Sequence, residues 1–305
     1  MKIKSVLVTS VAPFDDHAAN RGEKLLGNAS SVKRRPDGRV YVSGQMQRHA
    51  LFSAIDRLNR DAEGAGDTYV ANGDAPSTEI DKDIRSDLGG FLDTNKGDYS
   101  GRRTAPVSAT PAVARRESDV GRDLLVRLKM DEGNADDGSK KQALATNEYS
   151  QHDEMVMNFS LDVGAVGAVK EYSYDKVGEG GETFAHVSTT FKRHIDEVEH
   201  ARRVRLFLEA TGSITDYANQ ARNAVSGEPS RVLIVLDPKH SRKAVRFWKD
   251  TTTDAERDNI LAELRDRGAQ VLVGDDKGVY SDTPVFEAYK QAVDALEAGD
   301  LYRPL

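Results

Sequence analysis

Apolar residues recur along this chain with periods that change in a fixed order: strand, helix, strand, strand, helix, strand. That order narrows the possible folds more than any other feature. Ile3 to Val11 is dominated by Val, Leu and Thr and reads as a strand ended by Pro13. After a polar stretch with Gly22, Gly27 and Asn28 come Lys33-Arg34-Arg35, the turn Pro36-Asp37-Gly38 and a short strand over Arg39 to Val42. Ser43 is placed to cap a helix from about Gly44 to Leu58, because Ala50, Leu51, Ala54, Ile55 and Leu58 fall on one stripe. Ala105 to Ala114 is extended, and its prolines suit an edge. Glu154 to Val169 alternates through Met155, Met157, Phe159, Leu161 and Val163, and the turn at 178–181 leads into a further strand, Thr183 to Phe191. Ile195 to Ala210 has the period of a helix, and Arg231 to Leu236 has the unbroken apolar run of a buried strand. Beyond it the pattern predicts a basic helix near Ser241–Lys249, an amphipathic helix from about Asp254 to Arg267, a strand over Gln270–Val273 and a helix from about Thr283 to Ala298. Without its insertions the chain is expected to form an α+β fold of the split βαβ, ferredoxin-like kind on which RNA recognition motifs are built.

Two insertions interrupt this order. Residues 60–101 lose periodicity and hold seven glycines and ten acidic side chains against four basic ones, which predicts a long surface insertion. Ile84, Leu88, Phe91 and Leu92 recur at helical spacing and predict one short helix within it. Residues 115–153 place the polar stretch Asp131–Lys141 between two extended arms, the pattern of a protruding β-hairpin.

With 43 Lys and Arg against 50 Asp and Glu the net charge is −7, which taken alone points away from nucleic acid. The charge is unevenly spread, however, with +6 on residues 1–60 and −13 on the remaining 245. Having no cysteine excludes disulfides, a thiolate nucleophile and Cys-ligated zinc. No apolar run approaches the roughly 18 residues of a membrane span and no signal peptide is visible, so a soluble, cytoplasmic protein without membrane contact is expected.

Enzyme signatures are missing. There is neither a phosphate-binding loop of the Gly-x-x-x-x-Gly-Lys kind nor a Gly-x-Gly-x-x-Gly after a strand. His194 and His200 stand six apart, off the i, i+4 spacing of a helical metal pair, and surface roles are expected for the histidines. Asp15-Asp16, Asp136-Asp137 and Asp275-Asp276 sit in turn-like contexts and read as solvated loop charge. No catalytic constellation, metal site or cofactor is expected.

Basic clusters are more informative. Lys33, Arg34 and Arg35 precede a helix N-terminus, whose free N–H groups and dipole suit phosphate, and Ser43, Gln45 and Arg48 add donors at the same end. Arg102-Arg103 and Arg115-Arg116 bracket the extended segment 105–114, Arg202, Arg203 and Arg205 share one helix, and residues 231–249 carry +5. Together they suit a groove that follows a phosphate backbone. The first strand has no aromatic residue, so base stacking on the sheet is not the expected mode.

The run Gly27-Asn28, Lys33, Asp37-Gly38, Tyr41-Val42-Ser43-Gly44-Gln45 and Arg48 resembles the N-terminal signature of the DevR-type Cascade backbone subunit of type I CRISPR systems. This is the Cas-seven (RAMP) superfamily, and the likeness is greatest to the I-B branch. Arg102 to Ser108 with Ala112, Phe159 to Gly167, and Arg202-Arg203 are similar to later blocks of that family. The resemblance implies a modified ferredoxin-like, RRM-like palm over 1–249, interrupted by a finger insertion at 60–101 and a thumb hairpin at 115–153, with 250–305 as a C-terminal α/β extension. It further implies a non-catalytic subunit that lines up with copies of itself along CRISPR guide RNA, contacts other Cascade subunits and presents the guide to a target DNA strand. On this reading Asn28, Lys33, Arg34, Arg35, Ser43, Gln45, Arg48, Arg102, Arg103, Arg115 and Arg116 hold RNA, and Leu125, Val126 and Leu144 wedge at a kink in the guide. Asn28, Ala29 and Ser30 stand where target-cutting relatives place an aspartate, and an amide cannot replace that carboxylate. Two alternatives remain open: a metal-independent endoribonuclease that processes repeat RNA, for which His49 and His186 are available, and a transcriptional regulator.

Overall fold

A computed structural model describes residues 1–24, 30–61, 78–92, 102–128, 142–177 and 183–304. In chain order, β1 (Ser5–His17) precedes α1 (Gly44–Asp61) and the short α2 (Ile84–Gly89), followed by β2 (Val107–Ala109) and β3 (Ala112–Ala114). Next come β4 (Val120–Leu128), the long β5 (Gln142–Asp162), β6 (Ala168–Val177), β7 (Thr183–Arg193) and α3 (Glu197–Ala210). The last part holds β8 (Arg231–Asp237), α4 (Asp254–Asp266), β9 (Gln270–Asp275) and α5 (Val285–Glu297).

β1 is central because both its edges are paired: β5 runs antiparallel along one and β8 along the other. β2 and β3 pair antiparallel with the far edge of β5, and β9 with that of β8. Setting β9 aside, the order is fourth, first, third, second strand of a βαββαβ unit, the ferredoxin-like arrangement. Alternation along β1 sends Val6, Val8, Ala12 and Phe14 into one core with Leu51 and Ile55 of α1 and Val204, Phe207 and Leu208 of α3. Leu7 and Val11 point the other way, into a second core with Leu233, Val235, Trp248, Ile260 and Leu264. Burying each such aliphatic side chain contributes about 1.5–3 kcal/mol.

The face that an RNA recognition motif leaves open is therefore closed here by residues 244–269. Trp248 seals it, its indole N–H donating to the Thr9 carbonyl at 2.9 Å. The predicted basic helix at 241–249 is instead a single 3-10 turn, Lys243–Arg246: Ala244, Phe247 and Trp248 keep helical spacing and are buried against the sheet, but the N–H groups of Val245, Phe247 and Lys249 bond three residues back, to Arg242, Ala244 and Arg246. β1 continues past Pro13 to His17: β8 pairs with it only as far as Val11, so a residue lacking an N–H is tolerated beyond. β5 begins twelve residues before the predicted start at Glu154, because its first part pairs with β4, Val126 opposite Leu144. It stops at Asp162, where a 3-10 turn and Gly167, at φ +64°, redirect the chain. β6 and β7 form a separate two-stranded ribbon.

A charged cluster lies at the base of the first insertion. Asp87 of α2, 0% exposed, accepts from the Arg103 and Arg203 guanidinium groups, the latter at 2.7 Å, and from the Gly167 N–H at 3.0 Å. Arg203, also 0% exposed, donates further to Glu199 at 2.6 Å and to the Ile80 and Asp81 carbonyls, while Arg103 donates to the carbonyls of Asp87, Ala165 and Ala168. Asp87→Asn leaves the buried Arg103 without its counter-charge and Arg203 with Glu199 alone, and such breakage costs about 3–5 kcal/mol. Urea unfolding should show this loss, and the Asp87→Asn, Arg203→Met double variant should lose less than the two single losses combined; equal midpoints for Asp87→Asn and the parent refute the network's importance.

Glu154 of β5 joins distant segments, accepting from Arg115 at 2.7 Å, Lys277 at 3.0 Å and Arg231 at 3.3 Å. Burial alone raises its carboxyl, but the bonds from Lys277 and Arg115 and the charge of Arg231 outweigh it and pull the group from 4.5 to about 2. A depressed folded value gives stability that is present above pH 4.5 and lost as the pH falls towards 2. Urea midpoints of the parent and Glu154→Gln should accordingly differ most at pH 7 and converge as the pH approaches 2.

Candidate nucleic-acid interface

Residues 30–43 form a small hairpin that delivers the chain to α1. Tyr41 N–H donates to the Lys33 carbonyl and Arg35 N–H to the Arg39 carbonyl, at 3.0 and 2.9 Å. Gly38 makes the turn at φ +78°, where a Cβ would also strike Glu117. Lys33 is half-buried, while Arg34 and Arg35 are exposed, Arg35 lying over the Tyr41 ring. The Asp37 carboxyl is held below its ordinary value, chiefly by the side-chain bond from Arg39. A buried relay anchors the hairpin to the sheet. Val40 N–H donates to Ser118 Oγ, Ser118 Oγ donates to Asp153, and Asp153 meets His17 Nε2 at 2.8 Å.

Ser43 Oγ accepts the Met46 N–H at 3.3 Å, the bond of an N-cap. No acidic side chain occupies the first turn of α1, so the positive end of its dipole is not compensated from within the helix. Gln45 is exposed on that turn. Arg48 follows, half-buried, donating to the Gly89 carbonyl at 2.6 Å and lying over the Phe52 ring at 5.8 Å. Arg85 of α2 lies over the same ring at 5.9 Å. Burial first, and then the like charge of Arg85, depress the Arg48 guanidinium's proton affinity. Two cations crowded on one aromatic ring beside an uncompensated helix end favour an anion there.

The remaining candidates separate. Arg103 is buried against Asp87 and offers nothing to solvent. Arg203, read with Arg202 and Arg205 as groove lining, is equally internal; Arg202 pairs with Glu199, and Arg205 with Glu209 and Glu297. Arg115 is held by Glu154 and Asp250, whereas Arg116 is exposed. Arg102 is placed by its backbone pairing with Leu92. Leu125 pairs with Ala145 across the β4–β5 hairpin, and Asn28 lies outside the described residues. Arg242 donates to Ser108, Lys243 meets Glu263, and Arg246 is exposed.

Two histidines depart from the expected surface role: His17 is 1% exposed and His200 2%, the latter bonded to the Val163 carbonyl, with burial depressing its proton affinity. Asp275 is no solvated loop charge either, since it accepts the N–H groups of Lys277, Val279 and Tyr280. Among the described residues no group of three or more His, Cys, Asp or Glu is arranged to hold a metal ion. No helix there is long and apolar enough to cross a membrane. Sequence reading passed over Arg85 and Phe52. Arg48 and Phe52 are an i, i+4 pair and were legible, but Arg85 arrives only through tertiary packing.

A chain in a solved structure described as a CRISPR RNA-guided surveillance complex superposes with a TM-score of 0.53 at 13% identity, covering 96% of this chain and 98% of that one. Another, from a CRISPR RNA-guided surveillance complex, pre-nicking, gives 0.55 at 13% identity, covering 96% and 99%. At this identity the likeness is one of fold. No curated protein matches the sequence. The family model described as CRISPR-associated negative auto-regulator DevR/Csa2 matches residues 12–225, well over half of the sequence. The chain belongs to that DevR/Csa2 family of CRISPR-associated proteins.

Proposed function

We propose that this protein is a non-catalytic backbone subunit of a Cascade-type surveillance complex, which binds CRISPR guide RNA by its phosphates and assembles with copies of itself and other subunits along it. The observation that carries the reading is the cationic end of α1, where an uncompensated helix terminus, Ser43, Gln45 and the paired guanidinium groups of Arg48 and Arg85 stand after the Lys33–Arg35 hairpin. The covered sheet supports it: with Trp248 and its neighbours over the second face, bases find no stacking platform and stay free to pair with a target DNA strand. In this reading residues 60–101 act as fingers and the β4–β5 hairpin as a thumb, with Leu125, Val126 and Leu144 at the guide. Regulation of transcription has less support, because among the described residues no two helices follow one another across a short turn as a helix-turn-helix requires.

Guide-length single-stranded RNA should bind with an affinity that falls steeply with salt and depends little on sequence, and electron micrographs of the complex should show a regular array. Lys33→Glu with Arg34→Glu, and separately Arg48→Glu, should each weaken binding by about 100-fold while circular dichroism is unchanged, since bonds from charged donors contribute about 1.5–3 kcal/mol apiece. Salt-insensitive binding, or a protein that stays monomeric on RNA, refutes the proposal. Labelled repeat RNA should remain intact; a cut product lost in His49→Ala or His186→Ala would establish the ribonuclease instead.

A further inference from the structure

Glu148 lies on β5 where the β4–β5 hairpin leaves the sheet, and its side chain is only 3% exposed. Its Oε1 accepts from Nε and Nη2 of Arg122 at 3.2 and 3.1 Å, and its Oε2 from Arg34 Nη2 at 3.4 Å and the Val32 N–H at 3.3 Å. Arg122 sits directly across from Glu148 in the β4–β5 register, whereas Arg34 comes from the hairpin before α1. The two guanidinium side chains are 67% and 43% exposed. One buried carboxylate thus holds two open cations from separate elements, and the cluster keeps one positive charge over. Each guanidinium has five N–H donors, most of which these bonds leave uncommitted.

We infer that Arg34 and Arg122 clamp one phosphodiester of a bound RNA strand, and that Glu148 is the positioning residue that holds the two guanidinium groups together. This rests on the RNA-binding reading above. A singly charged phosphodiester neutralises the surplus charge, and fixing both side chains beforehand spares the rotamer entropy of ordering them on binding. Arg122 also lies on the arm that leads to the hairpin, so the clamp couples hairpin and α1 end to the same stretch of backbone.

The test is fluorescence anisotropy of a labelled single-stranded RNA of mixed sequence with the full chain, from 50 to 200 mM salt. Arg122→Ala should weaken binding roughly tenfold and lower the salt slope by about 0.7, the value for one phosphate on a single strand. Adding Arg34→Ala should take away no second unit of slope, because one phosphate is shared. Glu148→Gln should weaken binding severalfold with the same slope change, although deleting a negative charge near RNA would on its own tighten it. Arg205→Ala, at a residue of α3 already paired with Glu209 and Glu297, serves as the unaffected control. RNA that binds the parent but is indifferent to Arg122→Ala overturns the clamp, and tighter or equal binding by Glu148→Gln overturns its positioning role. Failure of the parent itself to bind overturns the reading beneath both.

Discussion

A single buried carboxylate ties together three separate elements of this molecule. Asp87 receives Arg103 from the strand that closes the first insertion, Arg203 from α3 and the Gly167 N–H from the turn after β5. Ionised groups in an apolar interior are tolerable only when paired and fully hydrogen-bonded, and the carbonyls around both arginines meet that condition. Because these bonds pin α2, they also fix the Gly89 carbonyl that receives Arg48, and the position of Arg85 on the Phe52 ring. The cationic surface is thus set from beneath by a cluster that never reaches solvent.

Charge in this chain follows a division of labour. Many arginines that look like ligands in sequence are internal struts: Arg103, Arg203 and Arg231 are all buried on carboxylates. Other cations face outward, among them Arg34 and Arg35 on the hairpin before α1 and Arg122 at the root of the β4–β5 hairpin. Guanidinium suits both tasks, since its rigid fork satisfies several acceptors when buried and grips phosphate when exposed. An acidic total of −7 is compatible with such a patch, because the acidic majority lies elsewhere in the chain.

Where local pattern governed, the sequence was readable. The stripe through Ala50, Leu51, Ala54 and Ile55, the Ser43 cap, the unbroken apolar run of β8 and the order of the six palm elements all follow from periodicity and turn chemistry. Misreadings arose where partners far along the chain decide. Whether an arginine is a strut or a ligand depends on a carboxylate some hundred residues away, as with Arg203 and Asp87. Trp248 and Phe247 look like members of a basic helix until the second face of the sheet claims them. The pair of guanidinium groups on Phe52 was half visible, through Arg48 four residues earlier, while Arg85, on the short helix within the first insertion, reaches that ring only through tertiary packing.

The lid over the second face also sets a timetable. The bond from Trp248 to Thr9 spans 239 positions, and β1 pairs with β8 across nearly as many. On a ribosome adding roughly 5–20 residues per second, β1 waits some tens of seconds after emergence before its second edge and outer face are covered. Through that interval Leu7 and Val11 stand open beside an unpaired strand edge, a surface that invites association with other nascent chains. High-contact-order sheets of this kind fold slowly, so the yield of competent subunits depends on how well a cell shields one thirteen-residue strand.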